Sequence, residues 1–460
     1  MKYREEQDTM GTVRVPENAY FGAQTQRAKE NFTISDLRFP SVFYKVLGII
    51  KRHACRVNLD LGLISPDIAE AIMTAAEEMI NGKFDDQFVI DVFQTGSGTS
   101  TNMNANEIIA GRANKLITGK RGGKSPVHPN DHVNRGQSSN DVIPSAIHIA
   151  VLTEIKDRLL PAMSHLRQTI TEKSEELKDV RKTARTHLQD AVPISLGEVF
   201  SGYARQVEMG IERIEAIEAT LCELALGGTA VGTGVNTHPD FASKVITGIS
   251  EETGCAFREA RNHFEAQASQ DAAAETSSAL KTFAISLIKI ANDIRWLSSG
   301  PRCGLGEINI PDLQPGSSIM PGKVNPVIPE SVLQVAGQVI GNDSAITYGA
   351  QAGNFELNVM LPLIAYNLLQ SVQLLTTTCI VFADKCIKGL TANQDKCASN
   401  LEQSLSLVTA LVPEIGYDKA AAMAKEAHNT GKSVRQVAKE AGVLPDDKID
   451  EILNRMISGK

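Results

Sequence analysis

The run Gly316-Ser317-Ser318-Ile319-Met320-Pro321-Gly322-Lys323-Val324-Asn325-Pro326 puts two hydroxyls, an ammonium and a carboxamide into one loop punctuated by Gly and Pro. Such a composition suits an element that holds an anion while it moves. Two further polar, glycine- or serine-rich segments stand at helix entrances. Thr95-Gly96-Ser97-Gly98-Thr99-Ser100-Thr101-Asn102 precedes a helix-compatible start at Met103 to Glu107, and Gln137-Ser138-Ser139-Asn140-Asp141 precedes an amphipathic series. Free backbone N–H groups at such a start, with Ser and Asn side chains beside them, make an anion site. The ordinary role of Ser, Asn and Asp at these positions is capping, but the segments taken together read as a cradle for carboxylates.

One histidine of nine has a context that suggests chemistry. His187 follows Arg185-Thr186 and lies just ahead of Pro193 and a long apolar series, which suits a proton donor at a helix entrance. The turn His128-Pro129-Asn130-Asp131 suits either a second anion site or a plain structural turn. The glycines do not build a nucleotide site. Gly96-Ser97-Gly98 and Gly304-Leu305-Gly306 lack a third glycine three residues on, and neither Gly227-Gly228 nor Gly232-Thr233-Gly234 leads into a Lys-Ser/Thr pair.

Long helices must carry these segments. Phe200, Tyr203, Val207, Ile211, Ile214, Ile217, Leu221 and Leu224 step by three or four, with Glu208, Glu212, Glu215 and Glu218 outward, and predict one continuous helix. Similar series run from Leu280 to Leu297 with Trp296 near the end, from Ser331 onward after Pro326 and Pro329, from Leu363 through Tyr366 and Leu369 to Phe382, and from Pro144 to Leu159. Five such helices predict a mainly α chain with a central helical bundle. Shorter, more broken patterns before and after predict an N-terminal domain over 1–136, the helical domain over 137–394 and a small C-terminal helical domain over 395–460. The apolar stripes exceed what one bundle covers, which points to a homo-oligomer, with monomeric packing as the alternative.

Composition narrows the function classes. The chain has 460 residues, 46 Lys plus Arg against 54 Asp plus Glu, and a net charge of −8, a balance that repels nucleic acid and anionic membranes. Aromatic residues form only 5% of it, too few for a base-stacking surface. The seven cysteines are scattered, without Cys-x-x-Cys or Cys/His clusters, which argues against a zinc site or disulfide framework. With no signal-like apolar core near Met1 and no run of about 18 uninterrupted apolar residues, the expectation is a soluble cytoplasmic protein without a metal or an organic cofactor.

The Ser317 loop resembles the signature GSSxxPxKxNP of the fumarase/aspartase superfamily at every fixed position, and the likeness extends over nearly the whole chain. It is closest to class II fumarase: Gly22-Ala23-Gln24-Thr25-Gln26-Arg27, Gly353-Asn354-Phe355-Glu356-Leu357-Asn358-Val359 and Gly416-Tyr417-Asp418-Lys419-Ala420-Ala421 all look like fumarase segments. His187 stands where aspartases usually carry Gln. Val327-Ile328-Pro329 ahead of Glu330 looks more like aspartase, where many fumarases have a Thr-Gln pair.

The resemblance implies a three-domain, fumarase-like fold that forms a homotetramer with each site built from three subunits. It also implies reversible hydration of fumarate to malate, a step of the tricarboxylic acid cycle, through an aci-carboxylate intermediate. Ser317 is the implied proton acceptor, His187 the implied acid, and Glu330 its implied partner. Lys323 and Asn325 would stabilise the intermediate. Ser97, Gly98 and Thr99, then Ser138, Ser139 and Asn140, then Thr186, Ser318 and Val324, would complete the grip on the substrate. Aspartate ammonia-lyase is the enzymatic alternative. A non-catalytic helical scaffold is the alternative of another class, and it would have no use for Ser317, Lys323, Asn325 and His187 together.

Overall fold

The computed structural model describes residues 2–459, which form a mainly helical protein. Among the described residues only two strand pairs exceed two residues per strand: the antiparallel hairpin Tyr3–Asp8 with Gly11–Pro16, and the antiparallel hairpin Arg181–Thr186 with Gln189–Ser195.

The periodic series become helices at Leu196–Ala216, Asp271–Leu297, Val327–Ala350 and Leu361–Phe382. The fifth, Ser139–Glu154, runs through a wide π-helical turn at Ile155–Leu159 into Leu160–Glu176. The predicted stripe of the second series is fully realised, since Leu280, Phe283, Leu287, Ile290 and Ile294 are buried. Such burial stabilises by roughly 1.5–3 kcal/mol per large side chain. In Leu361–Phe382 the predicted Leu369, Val372, Leu375 and Phe382 are buried, while Leu363 and Tyr366 are only half-buried and Ile364 and Leu368 take the buried places in the first turns.

The helix expected to run from Phe200 to Leu224 ends at Ala216. A single turn follows at Glu218–Leu221, and Glu223–Leu224 pairs in parallel with Arg258–Glu259. Ile217, Leu221 and Leu224 are buried as the pattern required. Periodicity reported which side chains turn inward, while the long-range strand pairing set the backbone.

Two compact units make up the chain. The first comprises Met1–Pro161, Glu212–Thr282 and Gly337–Thr376. In it the helix Ser41–Asp60 packs on Pro66–Ile80, Ser139–Glu154 and Phe241–Thr253, around Phe43, Leu47, Ile50 and Ile72. The second comprises Ala162–Ile211, Phe283–Ala336 and Thr377–Lys460. Its C-terminal part closes on a core of its own around Leu401, Leu407, Leu411, Val434, Ile449 and Leu453. Gly210 is required where its helix passes Phe283, because a Cβ there would come within 2.7 Å of the ring. The segment Leu361–Ile387 is long and apolar enough to cross a membrane, and 56% of its most apolar window is buried inside the protein, as expected of a core helix.

Candidate active site

In the first unit the two polar helix entrances meet. Gly98, at φ 72°, is the N-cap of Thr99–Thr118, and Ser138 caps Ser139–Glu154. Left-handed backbone at Gly98 costs an L-residue free energy, and a Cβ would also press on Ile143 at 3.0 Å. Gly96 allows a closer approach still: a Cβ would fall 1.9 Å from the carbonyl oxygen of Val359. Asn102 Nδ2 donates to Ser139 Oγ at 3.1 Å and joins the entrances, while Ser97 and Thr99 share a hydroxyl hydrogen bond of 2.8 Å. Ser138 Oγ accepts from Asn140 N, Asp141 returns the capping box, and Asn140 Nδ2 donates to Ala230 O at 2.8 Å.

Beneath this cradle lies a residue that sequence reasoning missed. Lys51 is fully buried, and its Nζ donates to Asn134 Oδ1 at 3.0 Å and Gln137 Oε1 at 2.9 Å. Asn134 Oδ1 also receives Asn102 and Asn106. The signal was present as a lysine on the apolar stripe Leu47, Lys51, Ala54, Asn58 of an amphipathic helix. Burial pushes the Lys51 ammonium down to about 7, although the Asp141 carboxylate opposes this, and burial pushes Asp141 itself up to about 6.

Because the folded pKa of Lys51 is depressed, the unfolded chain binds more protons than the folded one between about pH 7 and 10, so this site's contribution to stability rises with pH there. Relative to Lys51→Met at the same protein concentration, the wild type is expected to gain roughly 1 kcal/mol per pH unit from pH 7 to 9. Urea unfolding of both proteins at the two pH values checks this, and a constant difference refutes it.

The His128 to Asp131 turn, also in the first unit, is capped from within. His128 Nδ1 accepts the backbone N–H of Asn130 and of Asp131, both at 3.2 Å, which leaves the ring proton on Nε2. Pro129 is buried, whereas Asn130 and Asp131 are exposed. A cavity of about 1120 Å³ in this unit lies among Arg52, Arg56, Glu77 and Lys244, and none of the predicted site residues lines it. Of its cations, Arg52 pairs with Glu77 and Glu252, and Lys244 with Asp240.

The second unit carries the remaining residues. His187 is not at a helix entrance. It forms, with Leu188, the two-residue tip of the hairpin Arg181–Thr186/Gln189–Ser195, where Thr186 pairs with Gln189. Both tip residues have positive φ, 57° and 60°, a conformation that two-residue hairpins require and that Asn-Gly normally supplies. Thr186 and His187 are exposed in the chain. The sequence cue was missed because neither glycine nor asparagine marks the turn.

The Ser317 loop closes on itself. Gly316 N donates to Lys323 O at 2.7 Å, Asn325 Nδ2 donates to Gly316 O at 2.7 Å, and Lys323 Nζ donates to Asn325 Oδ1. Ser317 Oγ accepts the backbone N–H of Met320 at 2.9 Å and of Ile319 at 3.2 Å. The amides that cradle this oxygen are those of Ile319 and Met320, because the chain turns back over the hydroxyl. Ser318, Lys323 and Val324 are exposed. Glu330 is half-buried in the first turn of Val327–Ala350, and among the described residues no hydrogen bond or ion pair joins it to His187 within the chain.

A family model described as Lyase matches residues 11–341, and one described as Fumarase C C-terminus matches 407–456. The class II fumarate hydratase of Nitrosomonas europaea is 53% identical over 449 residues, covering 98% of this chain and 97% of its own. That of Halobacterium salinarum is 54% identical over 452 residues, covering 98% and 96%. Among solved structures, recombinant class II fumarase from Schistosoma mansoni matches with a TM-score of 0.96 at 40% identity, over 99% of this chain and 98% of that one. Fumarate lyase:delta crystallin from Brucella melitensis in native form matches with a TM-score of 0.91 at 43% identity, over 98% and 99%.

Proposed function

The chain belongs to the class II fumarase family of the fumarase/aspartase superfamily, and from that premise we propose how its residues hydrate fumarate reversibly to malate. It is a lyase with fumarate hydratase activity, a reaction of the tricarboxylic acid cycle. The observation that carries the proposed course is the Ser317 hydroxyl, which accepts two backbone N–H groups on the loop that also holds Lys323 and Asn325. An alcohol is a weak base until its alkoxide is stabilised, and two converging amides supply that stabilisation.

In malate dehydration Ser317 takes the C3 proton, and negative charge develops on the adjacent carboxylate. Lys323, exposed on a flexible stem, exchanges its contact with Asn325 for that carboxylate, so its cation acts where charge appears. His187 gives the leaving hydroxide its proton, directly or through a bound water. Ser97, Gly98, Thr99, Ser138, Ser139, Asn140 and Thr186 orient the substrate carboxylates, together with Ser318 and Val324. Glu330 would meet His187 across a subunit boundary and hold its ring by a hydrogen bond. At the second anion site of His128 to Asp131, the Nε2–H of His128 is the donor offered.

We propose a homotetramer whose sites are shared between chains and whose central bundle is built from the five long helices. The exposure of Phe355 at 94%, Tyr348 at 58% and Trp296 at 57%, on or beside those helices, supports an assembly that covers them. The division into 1–136, 137–394 and 395–460 is the domain organisation proposed, supported at its C-terminal end by the separate core around Leu411 and Leu453. A cytoplasmic location accords with seven free thiols, six of them buried.

Incubating the purified protein with fumarate, with and without ammonium, and identifying products by NMR tests the activity. Loss of fumarate absorbance without ammonium, with malate formed, is expected. Aspartate formed only with ammonium would show that the Val327 to Glu330 context governs the chemistry.

A further inference from the structure

The hairpin that presents His187 is held from below by one buried carboxylate outside the site residues considered so far. Glu307 is fully buried, and its two oxygens accept Arg185 in a fork, Nη2 to Oε1 at 2.7 Å and Nη1 to Oε2 at 2.9 Å. Lys182 Nζ lies 3.2 Å from Oε2, and Asn400 Nδ2 donates to Oε1 at 3.1 Å. Lys182 and Arg185 sit on the strand that ends in Thr186-His187. On a regular strand residues 182 and 185 face opposite sides, yet both reach Glu307. The register shift between Thr183 and Arg185 brings this about, since a bulge changes the phase of the alternation.

The backbone of Glu307 is equally fixed. Its N–H donates to Leu297 O at 2.8 Å, and its carbonyl accepts from Asn393 N at 2.9 Å. A tip with two L-residues at positive φ stores strain and persists only where its surroundings determine it. Two charge-assisted contacts along the strand, the bidentate one at Arg185 beside the tip, supply that determination.

We propose that Glu307 is a positioning residue for the reaction: through Lys182 and Arg185 it sets the place and direction of the His187 imidazole. This rests on the reading of His187 as the acid. The role is geometric, and a displacement of about 1 Å at a reacting group costs on the order of 10²-fold in rate.

The test is a double-mutant cycle of Glu307→Gln and His187→Gln in the full-length protein, with kcat and KM measured for malate dehydration. Glu307→Gln alone is expected to lower kcat by about 10²-fold and to change KM by less than about threefold, because of the residues that orient the carboxylates only Thr186 lies on this hairpin. In the His187→Gln background it is expected to cost less than about threefold, since no imidazole remains to be positioned. Equal losses in both backgrounds would overturn the proposal. His187→Gln with undiminished kcat would instead overturn the acid reading itself.

Should Glu307→Gln fail to fold with Lys182 and Arg185 unpaired, Arg185→Lys takes its place in the cycle. It keeps the charge and removes the fork, and is expected to lower kcat about tenfold only where His187 is present. A loss that does not depend on His187 would again overturn the proposal.

Discussion

Substituting Ser317 by alanine is expected to lower kcat by about 10²- to 10⁴-fold, the range over which a positioned proton acceptor contributes, while KM stays within a few-fold of wild type. The split follows from the loop. Ser317 Oγ is the group on which the amides of Ile319 and Met320 converge, whereas the shape of the loop is set by the contacts among Gly316, Lys323 and Asn325, which alanine leaves intact. Exchange of the C3 hydrogen of malate with solvent deuterium should fall in parallel with dehydration, because both begin with the same proton removal. A variant that retained exchange at the wild-type rate would show that another group takes the proton.

The second large effect is at His187. His187→Gln is expected to lower kcat for dehydration by about 10²- to 10⁴-fold, because glutamine cannot protonate the leaving hydroxide. With Ser317 intact, C3 exchange should be lost less than dehydration, which separates the acid from the base. The backbone calls for a control. His187 sits at φ 57°, where asparagine is better tolerated than most residues, so His187→Asn keeps the turn and removes only the chemistry. Both variants are expected to be impaired alike. Recovery of activity in His187→Asn would assign the loss in His187→Gln to the turn rather than to proton transfer.

Local composition made the polar loops legible. Glycines around Ser97 and the Gly/Pro spacing around Ser317 report backbone constraints that act within a few residues. At Gly96 the constraint is a neighbouring carbonyl, and at Gly98 it is the left-handed cap. The readings that failed share a cause. The polar stretch ahead of Pro193 suggests a helix entrance because a two-residue turn of His187 and Leu188 lacks the usual turn residues, and the pairing that defines it is between strands. The helix from Phe200 was read as too long because its apolar spacing persists past Ala216 after the backbone has left the helix.

The sequence alone determined the family-specific loop, the mainly helical class and most of the inward-facing residues of the long helices, because each depends on residues within one or two turns of one another. Tertiary structure decided what supports the chemistry. Arg185 finds Glu307 across 122 positions and Lys51 finds Asn134 across 83. No local pattern marks such partners, since a buried charge is satisfied by whichever group the fold brings to it, and the desolvation that makes the partner necessary exists only once the chain has packed.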